Sequence, residues 1–140
     1  MSDGVKDRGP LGGLLSGLRA ARHSRALVIP IDMPLLTVDF LRYLARASGG
    51  WEITVPRWTG GLEPLVSVYA TACAGSLERF IALPSASARD FIRSTDFSVR
   101  YVDEGGVRQF GDPFRLFFNV NTTEDLQRAE AMLQEGFVVP

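Results

Sequence analysis

The sequence predicts an α/β layered domain, and three observations predict it. Short apolar runs of strand length alternate along the chain with stretches whose apolar residues recur at helical spacing. Within RALVIPIDMPLL, Arg25–Leu36, the apolar run Ala26–Ile31 ends in a lone carboxylate, Asp32, and is stopped by Met33-Pro34, because proline has no N–H to give a ladder. No internal repeat, long linker or low-complexity tract divides the 140 residues, which suffice for a single domain with a real core.

Taken in order, Met1–Arg8 is polar and reads as a loose arm. Gly9-Pro10 opens the first helix, proline being suited to a first helical position. Leu11, Leu14, Leu15 and Leu18 recur at i, i+3, i+4 and i+7 as one apolar face. Arg19, Arg22 and His23 fall at its C-terminal end, where positive charge is favoured. Ala26–Ile31 reads as a strand buried on both faces. Thr37 caps a helix over Val38–Ala47 with Phe40, Leu41 and Leu44 inward, and Ser48-Gly49-Gly50 ends it. Trp51–Pro56 and Leu65–Tyr69 are strands, with Thr59-Gly60-Gly61 a turn between them. A helix carries Cys73, Leu77, Phe80 and Ile81 and is broken by Pro84. Ser87 caps a short helix with Phe91 and Ile92. Phe97–Val102 alternates as a half-buried strand does. Glu104-Gly105-Gly106 reads as a turn and Phe117–Val120 as a short strand. Thr122 or Thr123 starts a last helix with Leu126, Ala129 and Leu133 inward and Gly136 at its end.

Bulk properties exclude several classes. Apolar residues make up 46% and charged residues 22% of the chain, as in globular proteins, with a formal net charge of −1. No basic field attracts nucleic acid, and no polybasic segment or bilayer-length apolar run points to a membrane. The expected location is the cytoplasm. The single cysteine, Cys73, cannot form an internal disulfide, and its alanine neighbours suggest a buried thiol. With His23 the sole histidine, at a basic helix end, a cysteine–histidine catalytic pair is not expected.

Four segments could carry chemistry. Asp32 sits where open α/β sheets bind ligands, beyond a strand's carboxyl end. There it either holds a divalent cation against a phosphate or caps the next turn. Arg8–Gly13, RGPLGG, brings glycines to a helix start, which suits either phosphate approach or tight packing. Glu63, held extended before Pro64, either points into a cleft or is a surface acid. Asn119 and Asn121 share a side if Phe118–Leu126, FNVNTTEDL, is extended, and could read a heterocycle; the alternative is that Asn121 shapes the turn into the helix.

These segments together resemble the molybdenum cofactor guanylyltransferases. The matching pieces are Gly9-Pro10-Leu11-Gly12-Gly13-Leu14, Pro30-Ile31-Asp32-Met33-Pro34, Leu62-Glu63-Pro64-Leu65, Ser87-Ala88-Arg89-Asp90-Phe91 and Phe118-Asn119-Val120-Asn121-Thr122-Thr123-Glu124-Asp125-Leu126. The first two are shared with related sugar and cofactor nucleotidyltransferases; the last favours the molybdenum cofactor branch. The resemblance implies a Rossmann-like, mostly parallel sheet in a three-layer α/β/α arrangement. It also implies Mg²⁺-dependent transfer of GMP from GTP to the phosphate of molybdopterin, with pyrophosphate released. By the same resemblance Asp32 holds the Mg²⁺, and Asp3, or else Asp7, contacts the nucleotide. Gly9, Pro10, Leu11 and Gly12 shape the floor of its pocket. Arg89, Asn119 and Asn121 lie on the pterin side.

The sequence departs from the family in one respect. The family opens on a strand, a glycine-rich LAGG-type loop, an arginine-methionine-glycine turn and a lysine that cradle the nucleotide phosphates, and nothing like them occurs here. The chain therefore looks like the family's C-terminal portion, inactive alone: a truncated gene product, the product of a wrongly chosen start codon, or one half of a split protein whose partner carries the other half. A non-catalytic remnant, a pterin- or partner-binding module, and a nucleotidyltransferase acting on another phosphate are the alternatives. On this reading the Ala26–Ile31 strand has an open edge, and the helix Leu11–Arg22 exposes part of its leucine face.

Overall fold

The computed structural model describes residues 10–84 and 86–136, and for residues 134–136 the backbone alone. The loose arm expected over Met1–Arg8 lies outside them. The elements run α1 (Pro10–Ala20), β1 (Arg25–Val28), α2 (Val38–Ala47), β2 (Ile53–Trp58), β3 (Gly61–Leu62), β4 (Ser67–Ala70), a 3-10 turn Thr71–Cys73 leading into α3 (Ala74–Ile81), α4 (Ala88–Ser94), β5 (Val99–Val102), α5 (Glu104–Arg108), α6 (Pro113–Leu116) and α7 (Thr123–Gly136).

The α/β class holds, with one correction to the expected sheet. β4 lies between β1 and β2 and runs antiparallel to both, and β2 pairs in parallel with β5. Thus β1, β2 and β5 share one direction, but among the described residues three of the four pairings are antiparallel, the β2–β3 hairpin included. The reversal follows from the β2–β3 hairpin, a short connection that returns the chain beside the strand it has just left.

Alternation along the strands gives the sheet two apolar faces. Ile53, Val55 and Tyr69 face α1, α3 and α4, where Leu11, Leu14, Leu15, Leu18, Leu77, Phe91 and Ile92 form one core. Val68 and Val102 face the other way, onto Phe40 and Leu44 of α2, Val107 of α5, Leu116 of α6 and Phe117. This is a three-layer packing. The α1 leucines are all buried, so the expected exposed leucine face is not present: α3 covers it, with Arg19 paired to Glu78 across the helix–helix seam.

Four local expectations are corrected. The strand expected over Ala26–Ile31 ends at Val28 and is not buried on both faces, Leu27, Ile29 and Ile31 being exposed. Among the described residues β1 pairs only with β4 and forms the sheet edge, so nothing there covers its second side. Glu104-Gly105-Gly106 is helix rather than turn. The Asp103 carboxylate accepts from the Gly106 N–H at 3.0 Å, and Val107 is driven into the core, which together override glycine's poor helix propensity. Phe117–Val120 is not a strand. Asp112 caps α6 with Pro113 at its first turn, and the N–H groups of Phe117 and Phe118 bond back to Pro113 and Arg115, so they cannot serve a ladder. In α7 only Ala129 of the expected inner face is buried; Leu126 and Leu133 are exposed, because the helix meets the body near Ala129 and Met132, whose carbonyl accepts from Arg115.

The capping expectations hold. Thr37 accepts from the Phe40 N–H and Ser87 from the Asp90 N–H, fixing the starts of α2 and α4. Cys73 is fully buried, and burial, then the nearby Glu52 charge, pushes its thiol up to about 11.

Candidate functional site

A cavity of about 360 Å³ opens beyond the carboxyl end of β1, within the range of small-molecule sites. One wall is the turn after β1, with Pro30, Asp32 and Met33. The opposite wall is Glu63-Pro64-Leu65, the loop between β3 and β4. Pro10 and Leu11 at the start of α1, and Ala86, Ser87, Ala88 and Arg89 leading into α4, close the sides, and Asn119 reaches in from the loop before α7. Five segments distant in sequence thus meet, and each contains one of the pieces that carry the family resemblance.

The Asp32 wall is held through its backbone. The Asp32 carbonyl accepts from the Val120 N–H at 2.8 Å, which carries Asn119 to the cavity. The Asp32 carboxylate is half-buried. Asn121 does not line the cavity. Its N–H donates to the Asp125 carboxylate at 3.1 Å, while the Asp125 N–H donates to the Thr122 hydroxyl at 3.0 Å. This reciprocal arrangement starts α7 in the manner of a capping box. The expected shared face of Asn119 and Asn121 required an extended strand, and the chain turns there instead.

The Glu63 wall is cross-linked at nearly every polar atom. The Glu63 N–H donates to Pro56 O at 3.1 Å, continuing the β2–β3 hairpin by one residue. The Glu63 carbonyl accepts from the Val66 N–H at 3.1 Å and from the Ser67 hydroxyl at 2.7 Å. The buried Tyr69 hydroxyl donates to Pro64 O. The Glu63 carboxylate itself accepts from the Trp58 indole N–H at 2.9 Å. Burial pushes this carboxyl up, and the Trp58 hydrogen bond and the Arg89 charge offset only part of that. Gly60 makes the hairpin possible, since a Cβ there would run into the Trp58 indole, and Gly61 sits at φ 108°, a backbone conformation that L side chains rarely adopt.

Arg89 joins the two halves of the site. Its Nε donates to Leu62 O at 3.1 Å, tying the first turn of α4 to β3, and its side chain lines the cavity. Gly12 is buried in α1 rather than at the cavity surface. Asp3, Asp7 and Gly9 lie outside the described residues. The sequence admits Glu63 either in a cleft or at the surface; the structure puts it in the cleft. The signal was the tight Thr59-Gly60 turn, which sets Trp58 and Glu63 close together across a hairpin.

As to metal, no group of three or more histidine, cysteine, aspartate or glutamate side chains is gathered among the described residues. The donor set is instead a single half-buried aspartate in the cavity wall, with Glu63 engaged by Trp58. That suits an ion such as Mg²⁺, which uses one or two carboxylates and completes its shell with substrate phosphates and water.

A mixed sheet layered between helices, with an acid-bearing cavity of small-molecule size beyond the carboxyl end of β1, defines the chain as an α/β protein of the open-sheet class. Residues 1–100 match the family model of the MobA-like NTP transferase domain, and the chain belongs to that family. It is 33% identical over 134 residues to a probable molybdenum cofactor guanylyltransferase of Pelotomaculum thermopropionicum, covering 96% of this chain and 64% of the relative. It is 29% identical over 130 residues to the molybdenum cofactor guanylyltransferase of Syntrophotalea carbinolica, covering 91% of this chain and 61% of that protein. The crystal structure of molybdopterin-guanine dinucleotide biosynthesis protein A from Archaeoglobus fulgidus superposes with a TM-score of 0.74 at 29% identity, over 91% of this chain and 64% of that one. The chain thus spans less than two thirds of the length of these relatives. Among the described residues no helix is long and apolar enough to cross a membrane.

Proposed function

We propose that this chain serves guanylyl transfer to molybdopterin: a phosphate oxygen of the pterin attacks the α-phosphorus of GTP, a P–O–P bond forms, and pyrophosphate leaves. The observation that carries this reading is the meeting of Asp32, Arg89 and Asn119 in one cavity from three distant segments, in a chain whose relatives bear that enzyme name.

The attacking phosphate is already an anion at neutral pH, so no strong general base is required. The task is to align two anions and cancel their repulsion. Asp32 would hold Mg²⁺, which when bound supplies Lewis-acid charge at the reacting phosphate. Arg89, fixed by Leu62 O, places a planar cation at the cavity wall. Asn119 offers a carboxamide donor and acceptor to a heterocycle, and the apolar side chains of Pro10, Leu11 and Met33 exclude water from its faces. The chain holds a single lysine, Lys6. Within this segment, Mg²⁺ held by Asp32 and the Arg89 guanidinium would meet phosphate charge.

The test is Asp32→Asn in a transfer-competent protein containing this segment. The shape is kept and the charge lost, so the transfer rate should fall by roughly 10²-fold or more, the scale of losing a group that stabilises transition-state charge. A rate near wild type with Mg²⁺ present would overturn the assignment.

A further inference from the structure

We infer that Glu63 is the specificity-determining residue of this cavity: its carboxylate, held by the Trp58 indole N–H, reads the paired N–H donors of a 2-amino-4-oxopyrimidine ring. The inference rests on the proposed function for its ligand class, and on the following geometry for the residue.

Glu63 is the acid of the cavity that the fold has immobilised. Its N–H, its carbonyl and its carboxylate are each hydrogen-bonded, to Pro56, to Val66 and Ser67, and to Trp58. Trp58 is fixed in turn by an edge-on contact with Phe114, ring centroids 4.8 Å apart, and by Phe117 at 5.7 Å. An acid that merely sat at a surface would not need this scaffold. A carboxylate offers about four acceptor directions on its two oxygens, and the indole N–H uses one of them, on Oε2. The remaining acceptor capacity is available to a ligand in the cavity that Glu63 lines. Burial makes an unmet carboxylate costly, and raises the gain from a donor pair that meets it.

The neighbouring side chains select what kind of donor enters. Pro10, Leu11, Met33 and Pro64 are apolar and suit the faces of a flat ring, and Arg89 beside Glu63 suits a ring carbonyl or a phosphate. A flat ring carrying two adjacent N–H donors next to a carbonyl is the 2-amino-4-oxopyrimidine edge. Pterin presents it with N3–H and its 2-amino group, and guanine with N1–H and its 2-amino group. A 2-oxo analogue would set a carbonyl against the carboxylate. A site built on a buried acceptor rejects such an analogue strongly.

The experiment compares ligands that differ only at this edge, bound to the full chain and followed by ligand fluorescence or calorimetry. Pterin is set against lumazine, its 2-oxo analogue, and GTP against ITP, which lacks the 2-amino group. The wild-type chain should prefer the amino member of at least one pair by about tenfold or more. Selectivity in the pterin pair identifies the pterin as the ligand read, and selectivity in the nucleotide pair identifies the guanine. Glu63→Gln converts an acceptor pair into one acceptor and one donor, which complements the N–H and carbonyl of lumazine. It should bring that preference to within about threefold or reverse it. Trp58→Phe, which keeps an aromatic ring and removes the N–H, should lessen the preference in the same direction and decides the matter if Glu63→Gln does not fold. No preference in either pair, or a preference that both variants leave unchanged, overturns the inference. Transfer that survives Asp32→Asn at the wild-type rate while the Glu63→Gln switch is present would sink the transfer reading and leave this one standing; transfer that falls with Asp32→Asn while no switch is seen does the reverse.

Discussion

The cavity has two acidic walls built in opposite ways. The Glu63 wall is tied to its surroundings through its own backbone and side chain, on a hairpin whose turn residues allow little choice. The Asp32 wall follows the edge strand β1, is flanked by exposed Ile29 and Ile31, and is joined to the far end of the chain by a backbone bond from Val120. The difference matches the two tasks proposed for them. Recognising a rigid ring rewards an acceptor fixed in advance, because binding then costs less ordering. Holding an ion that arrives with substrate phosphates requires charge in the site more than a rigid frame.

The contrast can be broken most directly at Tyr69. Its hydroxyl donates to Pro64 O from a fully buried position, and burial pushes its ionisation far up, so it stays a neutral donor. Tyr69→Phe leaves that carbonyl without its partner and should cost about 1–3 kcal/mol of stability. Denaturant unfolding with an unchanged m-value measures this. A loss below about 0.3 kcal/mol would show that the Glu63 loop does not depend on the tie.

The other wall should respond in binding and not in stability. Asn119 lines the cavity, whereas Asn121 is committed to the start of α7. Asn119→Ala should weaken pterin binding by about 1 kcal/mol, roughly fivefold, with little change in melting temperature. Asn121→Ala should leave affinity within about twofold, since only its backbone N–H enters the cap. Equal losses of affinity for the two variants would restore the shared face that an extended segment would have given.

The smallest effect expected is on the pH dependence of stability. Glu63 ionises above its ordinary value of 4.5 because of burial, so the folded chain holds this proton more tightly than the unfolded one. Its stabilising contribution is complete below about pH 4.5 and is lost as pH rises through the folded value. Glu104 is the reverse. The Thr59 hydroxyl and N–H, then Arg108, hold it below 4.5, so its contribution is present above that pH and is lost as pH falls. Melting temperature followed from about pH 3 to 8 should therefore decline less toward neutral pH in Glu63→Gln than in wild type. An identical profile in the two proteins would mean that Glu63 is as well solvated folded as unfolded.

Much of the local structure was legible in the sequence because it depends on neighbours along the chain. The leucine face of α1, the caps at Thr37 and Ser87, the buried thiol of Cys73 and the placing of Asp32 beyond β1 all rest on spacings of a few residues. Motif resemblance likewise selected Pro10, Leu11, Asp32, Arg89 and Asn119, which do meet at one cavity.

What only the tertiary structure decided involves partners far apart in sequence. Periodicity cannot tell that β4 inserts antiparallel between β1 and β2, since an apolar strand reads alike in either direction. It cannot tell that Ala26–Ile31 would lie at an edge, because burial depends on which strand arrives beside it. It misread Glu104-Gly105-Gly106 and Phe117–Val120, where an aspartate cap and a buried valine or phenylalanine outweighed the local signal. Composition also left Glu63 undecided: its residue is held in the cleft by an indole N–H, a hydroxyl, a backbone N–H and one carbonyl, and those partners are brought to it by folding.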